Sequence, residues 1–138
     1  DILLEDGREV VELLDLQFGR CRLIVAVPEA SGIRDVKELS FNSRVATVFP
    51  NITTRYFNSQ GIQAEVVELN GSVELGPIVG LADAIVDITE TGTTLVENGL
   101  LPIAEVAQVS SRLIANHVSY KVKHRTIHKL VQNLESLL

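Results

Sequence analysis

The sequence contains no methionine, no tryptophan and a single cysteine, and its aromatic content is only 4%. Each scarcity closes off a class of function. One cysteine cannot form an intramolecular disulfide and leaves a thiolate metal site without its second ligand, which suits a reducing compartment such as the cytoplasm. Cys21 is expected to be a small buried hydrophobe in a strand over 21–27. The missing methionine means that residue 1 is not an initiator, so Asp1 is expected to be a fragment boundary. No run of about eighteen apolar residues exists to span a bilayer, and no basic leader precedes an apolar segment as in a secretory signal. The three histidines, His117, His124 and His128, have no carboxylate or cysteine at metal-site spacing, so no metal is assigned there. Basic residues are also scarce. With 12 lysines and arginines against 18 acids, the net charge is −6, which argues against nucleic acid as the main partner.

What is present is enough for a core. The 138 residues are 46% hydrophobic, about one ordinary domain by length. The charge is unevenly spread: residues 1–108 carry seventeen acids and seven bases, whereas residues 109–138 carry one acid and five bases. The basic end, with Lys121, Lys123, Arg125 and Lys129, reads first as a solvated helix face and second as a surface for phosphate or a partner.

Asp1 to Arg8 reads as a polar, acidic lead-in. Val10 to Leu16 alternates imperfectly and is expected to be a strand, although periodicity alone leaves a helix open. Phe18-Gly19 interrupts it before a β-rich strand over 22–27. Residues 28–40 hold Pro, Gly and Ser and read as a surface connection. An alternation follows. A strand over 44–48 leads to a helix from near Asn51 to Gly61. A strand over 62–69 leads to a short helix from near Ser72, and a strand over 84–88 leads to a helix ending at Asn98-Gly99. Three successive strand–helix units predict parallel pairing with right-handed crossovers. Strands over 103–109 and 112–116 come next. Ile127, Leu130, Val131, Leu134 and Leu138 then recur at helical spacing and predict one amphipathic terminal helix.

Residues 83–95 carry the most chemistry. An apolar strand runs into Asp87, and a loop of Glu90, Thr91, Gly92, Thr93 and Thr94 opens a helix near Leu95. Exposed amides and a dipole at a helix start attract an anion, and hydroxyls add donors without bulk. Gly92 allows close backbone approach or a positive φ. Asp87, at the carboxyl end of its strand, is suited to sugar hydroxyls or a divalent cation. Asp83 lies at the other end of that strand, four residues or on the order of 13 Å away, and reads as a structural turn.

Glu74, Gly80, Ala82, Ile85, Asp87, Ile88, Thr91, Gly92, Thr94 and Leu95 together resemble the signature of the ATP phosphoribosyltransferases, which open histidine biosynthesis. Phe18-Gly19-Arg20-Cys21-Arg22-Leu23, Arg44-Val45-Ala46-Thr47 with Pro50, and Ser111-Arg112-Leu113-Ile114-Ala115-Asn116 with Ser119-Tyr120 resemble the family in the same order. There are two departures. Val48 and Phe49 stand where family members often carry lysine or another polar residue before an aromatic and proline. The family's opening lobe, with its Lys-Gly-Arg segment, has no counterpart here.

The resemblance implies an α/β, periplasmic-binding-protein-like fold of two lobes. Residues 20–108 would form a complete second lobe with a parallel or mixed sheet. Residues 1–19 would be a remnant of the first lobe, and 109–138 its return strand and C-terminal helix. The reaction implied joins ATP to phosphoribosyl pyrophosphate, giving phosphoribosyl-ATP and pyrophosphate. Mg²⁺ accompanies the diphosphate, with Asp87 as its candidate ligand. No protein nucleophile is required, and no catalytic residue is assigned. Asp87, Glu90, Thr91, Gly92, Thr93 and Thr94 are the candidates for phosphoribosyl pyrophosphate, with Glu74, Ser72, Arg22 and Arg44 for ribose or ATP. Each arginine is equally placed to pair with surface carboxylates. Ending soon after the terminal helix, the chain resembles the short form, which works with a regulatory subunit similar to histidyl-tRNA synthetase. As given, it is expected not to turn over substrate. Two other classes compete: a phosphate- or solute-binding lobe without chemistry, and an interaction subunit built on the basic C-terminal helix.

Overall fold

The computed structural model describes residues 1–7 and 9–138, and Arg8, part of the expected lead-in, lies outside the described residues. The chain divides into two compact units: Asp1–Asp6 with Cys21–Gln108, and Gly7–Arg20 with Val109–Leu138.

The first unit is built on a five-stranded sheet in the order β4-β3-β5-β2-β6. Its strands are β2 (Cys21–Pro28), β3 (Arg44–Thr47), β4 (Glu65–Glu68), β5 (Ala84–Thr89) and β6 (Leu100–Val109). β3 pairs in parallel with both β4 and β5, as the strand–helix alternation predicts. β2 runs antiparallel to β5, with Arg22 opposite Thr89 and Ala26 opposite Ile85, so the sheet is mixed.

β2 and β5 are almost continuously apolar because both of their faces are covered. On one face Leu23, Val25, Val27, Val45 and Val86 pack against Ile52 and Phe57 of helix α2 (Pro50–Ser59). On the other, Ile24, Ala26, Ala46 and Ile85 pack against Val73, Ala82, Leu95 and Leu100. Pro50 opens α2 where its missing N–H costs nothing. Gly76 is needed for close approach: a Cβ there would meet the Val73 carbonyl at 3.1 Å and the Ala46 Cβ at 3.2 Å.

The polar, acidic lead-in contains a short helix, α1 (Ile2–Asp6). It docks on α2 through Glu5, whose carboxylate oxygens accept from the amides of Asn51 and Ile52, both at 2.8 Å. The Asn51 side chain and the Arg55 guanidinium donate to the carbonyls of Glu5 and Leu4. The 28–40 connection is also more than surface loop. It contains two 3₁₀ turns, Glu29–Ser31 and Val36–Glu38, and it buries Val36 and Leu39 in the core. β4 begins three residues later than expected, since the Ile62 amide is held by the Phe57 carbonyl at the end of α2.

In the second unit β1 (Val11–Asp15) pairs antiparallel with β7 (Arg112–Ala115). Arg112 binds Glu12 at 2.7 Å and Asp15 at 3.3 Å across that pair. The expected terminal helix is two helices, α4 (His117–Val122) and α5 (His124–Glu135), separated at Lys123 with φ −110° and ψ 29°. Valine, histidine and threonine around the junction are weak helix formers, so the backbone has little to lose by breaking there. Ile127, Val131 and Leu134 form the half-buried stripe, whereas Leu130 is 50% exposed and Leu138 lies beyond the helix.

Candidate functional site

β5 delivers Asp87 at its carboxyl end, on the flank that carries Ile85 and away from α2. The loop that follows leads into α3 (Thr93–Glu97), which opens two residues earlier than expected. Gly92 precedes α3 with φ +81°, a left-handed conformation that a β-carbon disfavours, while the space around it is open. The requirement here is therefore backbone freedom rather than room.

The loop is held from beneath by Thr89, a residue that the sequence motifs do not single out. Thr89 is buried, and its hydroxyl accepts from the Gly92 amide at 2.8 Å. A threonine closing an apolar strand before a Thr-Gly loop is the signal that could have found it. The Thr91 and Thr93 hydroxyls lie 2.9 Å apart. The Val96 amide is taken by the Gly92 carbonyl, so the amides of Thr94 and Leu95 are left for a ligand, as at any helix start. α3 has only five residues, so its dipole is small and an anion here would depend on individual N–H and hydroxyl donors.

These groups line a cavity of about 300 Å³ together with Asp87, Glu74 and Glu90. Glu74 lies in the 3₁₀ turn Val73–Leu75 that replaces the expected short helix after β4. Its charge reaches Asp87. Burial and then Glu74 push the Asp87 carboxyl above its ordinary range, partly opposed by the Ile88 amide donating to its Oδ1 at 2.8 Å. A half-buried carboxylate facing a second acid gains from a cation or from sugar hydroxyls brought by a ligand. Among the described residues no group of three or more acids, histidines or cysteines could cage a metal ion. Asp87 and Glu74 offer at most two protein carboxylates here, so a hard cation would have to take most of its ligands from water or substrate oxygen.

The candidates thus divide. Asp87, Glu90, Thr91, Thr93, Thr94 and Glu74 line one cavity, with Gly92 shaping the loop between them. Arg22 sits opposite Thr89 at the same sheet edge, with its guanidinium 3.8 Å from Glu105. Ser72 is exposed with φ +48° and does not line the cavity. Arg44 is at the opposite edge. It begins β3, its guanidinium donates to the Gly80 carbonyl at 2.9 Å, and its backbone exchanges two 2.8 Å hydrogen bonds with Asp83. Asp83 is therefore the turn that its position suggested, and Arg44 is tied to it rather than to the loop. Cys21 is half-buried at the start of β2, not the fully buried residue expected.

The fold is that of the periplasmic-binding-protein type, α/β with a mixed sheet. Holo ArgBP from T. maritima superposes with a TM-score of 0.64 over 95% of this chain and 59% of that one, at 16% identity, a likeness of fold alone. A more particular match comes from sequence, for residues 1–136 fit the profile described as HisG, ATP phosphoribosyltransferase. The chain belongs to the ATP phosphoribosyltransferase family. The ATP phosphoribosyltransferase of Halothermothrix orenii is 49% identical over all 138 residues, which cover 62% of that relative. The ATP phosphoribosyl transferase (HisG:HisZ) complex from Thermotoga maritima superposes with a TM-score of 0.84 at 37% identity, over 98% of this chain and 65% of that one. This chain thus spans less than two thirds of the length of these relatives.

Proposed function

We propose that the chain is a segment of the catalytic subunit of an ATP phosphoribosyltransferase, joining ATP to phosphoribosyl pyrophosphate in the first step of histidine biosynthesis. The observation that carries this reading is the single cavity in which the Thr91–Thr94 donors meet Asp87 and Glu74, in a chain of that family. The donors suit the 5′-phosphate of the phosphoribosyl group. Asp87 suits the ribose hydroxyls, or a Mg²⁺ ion arriving with the diphosphate, and Glu74 in the same lining suits the remaining polar groups, with Arg22 at the same sheet edge but outside the lining. In the reaction, adenine N1 forms a bond to the anomeric carbon as the bond to pyrophosphate breaks. The intermediate charge on the sugar makes orientation and electrostatics the protein's main contribution. Mg²⁺ would neutralise the leaving diphosphate. Residues 20–108 correspond on this reading to the second lobe, and 109–138 with most of 1–19 to parts of the first, except that Asp1–Asp6 pack with Cys21–Gln108. A histidyl-tRNA-synthetase-like regulatory subunit is the proposed partner, by analogy with the HisG:HisZ complex, and the cytoplasm is the proposed location.

Calorimetric titration of this chain with phosphoribosyl pyrophosphate, with and without Mg²⁺, tests the assignment. Thr94→Val keeps the shape and removes a hydroxyl that lines the cavity. Expected are tighter binding with Mg²⁺ and a roughly tenfold loss in the variant, near the value of a charge-assisted hydrogen bond. Unchanged affinity in Thr94→Val would remove the loop from the site. The fold likeness to ArgBP supports a second reading, a solute-binding lobe without chemistry. Tight phosphate binding with no influence of Mg²⁺ would favour it.

A further inference from the structure

At the amino edge of the same sheet lies a second cavity, of about 500 Å³, which the proposed reaction does not use. It is lined by Lys37, Phe41, Asn58, Gly61 and Gln63, among others. Phe41 is 73% exposed. It occupies a tight turn in which the Ser43 amide donates to the Ser40 carbonyl at 2.9 Å and the Ser40 amide to the Ser43 hydroxyl at 3.0 Å. Leu39, immediately before the turn, is 3% exposed and anchors it in the core. A turn at that position ordinarily takes small or polar residues. Here it presents an exposed aromatic face at the wall of a cavity.

The remaining walls supply polar groups with no protein partner. Among the described residues, the side chains of Lys37, Asn58 and Gln63 make no hydrogen bond or ion pair. Two amides offer donor and acceptor pairs of the kind that match the edge of a heterocyclic base. An aromatic face stacks on such a base. The cavity also has a polarity. Asn58 and Gly61 sit at the carboxyl end of α2, where the helix dipole is negative and an exocyclic amine is favoured. Lys37 is the single cation in the lining and suits a phosphate. A volume of this size accommodates a small ligand of the corresponding length.

We infer that the cavity bounded by Phe41, Lys37, Asn58 and Gln63 is a second binding site, for a nucleoside monophosphate, separate from the Thr91–Thr94 loop. The base stacks on Phe41 with its edge toward Asn58 and Gln63, and the phosphate meets Lys37.

The test is an amide chemical-shift titration of the whole chain with AMP, and in parallel with ribose 5-phosphate, which lacks the base. AMP should shift the amides of residues 40–42 and 61–63 saturably. Ribose 5-phosphate should leave them in place. Phe41→Ala and Lys37→Ala alter exposed side chains and should keep a native spectrum while each weakens AMP binding at these amides at least tenfold. The response of residues 87–95 should be the same in both variants and in the original chain. AMP shifts confined to residues 87–95 would overturn the proposal. So would shifts at residues 40–42 that survive Phe41→Ala, an equal response to ribose 5-phosphate, or no saturable shift there at all. A protein bound at Phe41 in place of the nucleotide would show as absence of the AMP response and would overturn it equally.

Discussion

At the residue scale the most consequential group is Asp87, because its placement costs stability that a ligand can return. Its folded-state pKa is raised, chiefly by burial and then by Glu74. A carboxyl of that kind binds its proton more tightly folded than unfolded. Its contribution to stability therefore falls as pH rises from the ordinary carboxylate range through the raised value, and above that it stays as a constant penalty. Asp87→Asn keeps the acceptor for the Ile88 amide and removes the charge. In thermal unfolding without Mg²⁺, the variant should melt above the original chain at pH 7. The gap should close as pH falls below the unfolded carboxylate range, where both side chains are neutral. A variant that melts lower at pH 7 would show that the Asp87 charge stabilises the fold. The same substitution should weaken phosphoribosyl pyrophosphate binding, a stability–function opposition common where charge is held for a ligand.

At the scale of elements, Glu5 offers the sharpest test. A bidentate carboxylate on the first free amides of α2 acts as an N-cap reached from another element. Glu5→Ala should cost about 1 kcal/mol, as loss of a capping side chain does. It should also raise hydrogen exchange in α1, which has no buried residue of its own. Unaltered exchange across residues 2–6 would mean that the Leu4 and Glu5 carbonyl contacts suffice. None of this was legible in sequence, because a cap supplied 46 residues away leaves no local pattern. What the sequence did carry is local or periodic. The apolar runs of β2 and β5, Pro50 at the start of α2, and the Asp87-to-Leu95 loop are all written in neighbouring residues. Arg44 marks the boundary of that legibility. Its neighbourhood resembles the family, yet it opens a strand expected to run parallel to 84–88, so the rule that set Asp83 apart from Asp87 already placed it at the Asp83 edge. The break at Lys123 was hidden: helical spacing of apolar residues continues across it, and periodicity does not register a change of backbone dihedral.

At the scale of the whole molecule, counter-charge decides what this chain can do alone. The proposed reaction would bring two polyanionic substrates together, yet the cavity beside the Thr91–Thr94 loop is lined by three acids and no base. Of the two arginines considered for it, Arg44 is bound at the opposite edge and Arg22 shares its charge with Glu105. The family relatives have residues beyond those matched here, for this chain covers 62% of the Halothermothrix orenii enzyme. Catalysis by orientation tolerates little slack, and a misplacement of about 1 Å can cost on the order of 100-fold. The 138-residue chain should therefore bind phosphoribosyl pyrophosphate weakly and form no measurable phosphoribosyl-ATP. Activity should appear when the chain is extended to the full length of its relatives. Full activity should require a regulatory subunit as well, as the HisG:HisZ complex suggests by analogy. The measurement is phosphoribosyl-ATP formation by the chain, by the extended protein, and by the extended protein with that subunit. Equal turnover in all three would show that the acidic cavity needs no further cations and that the site is complete within these residues.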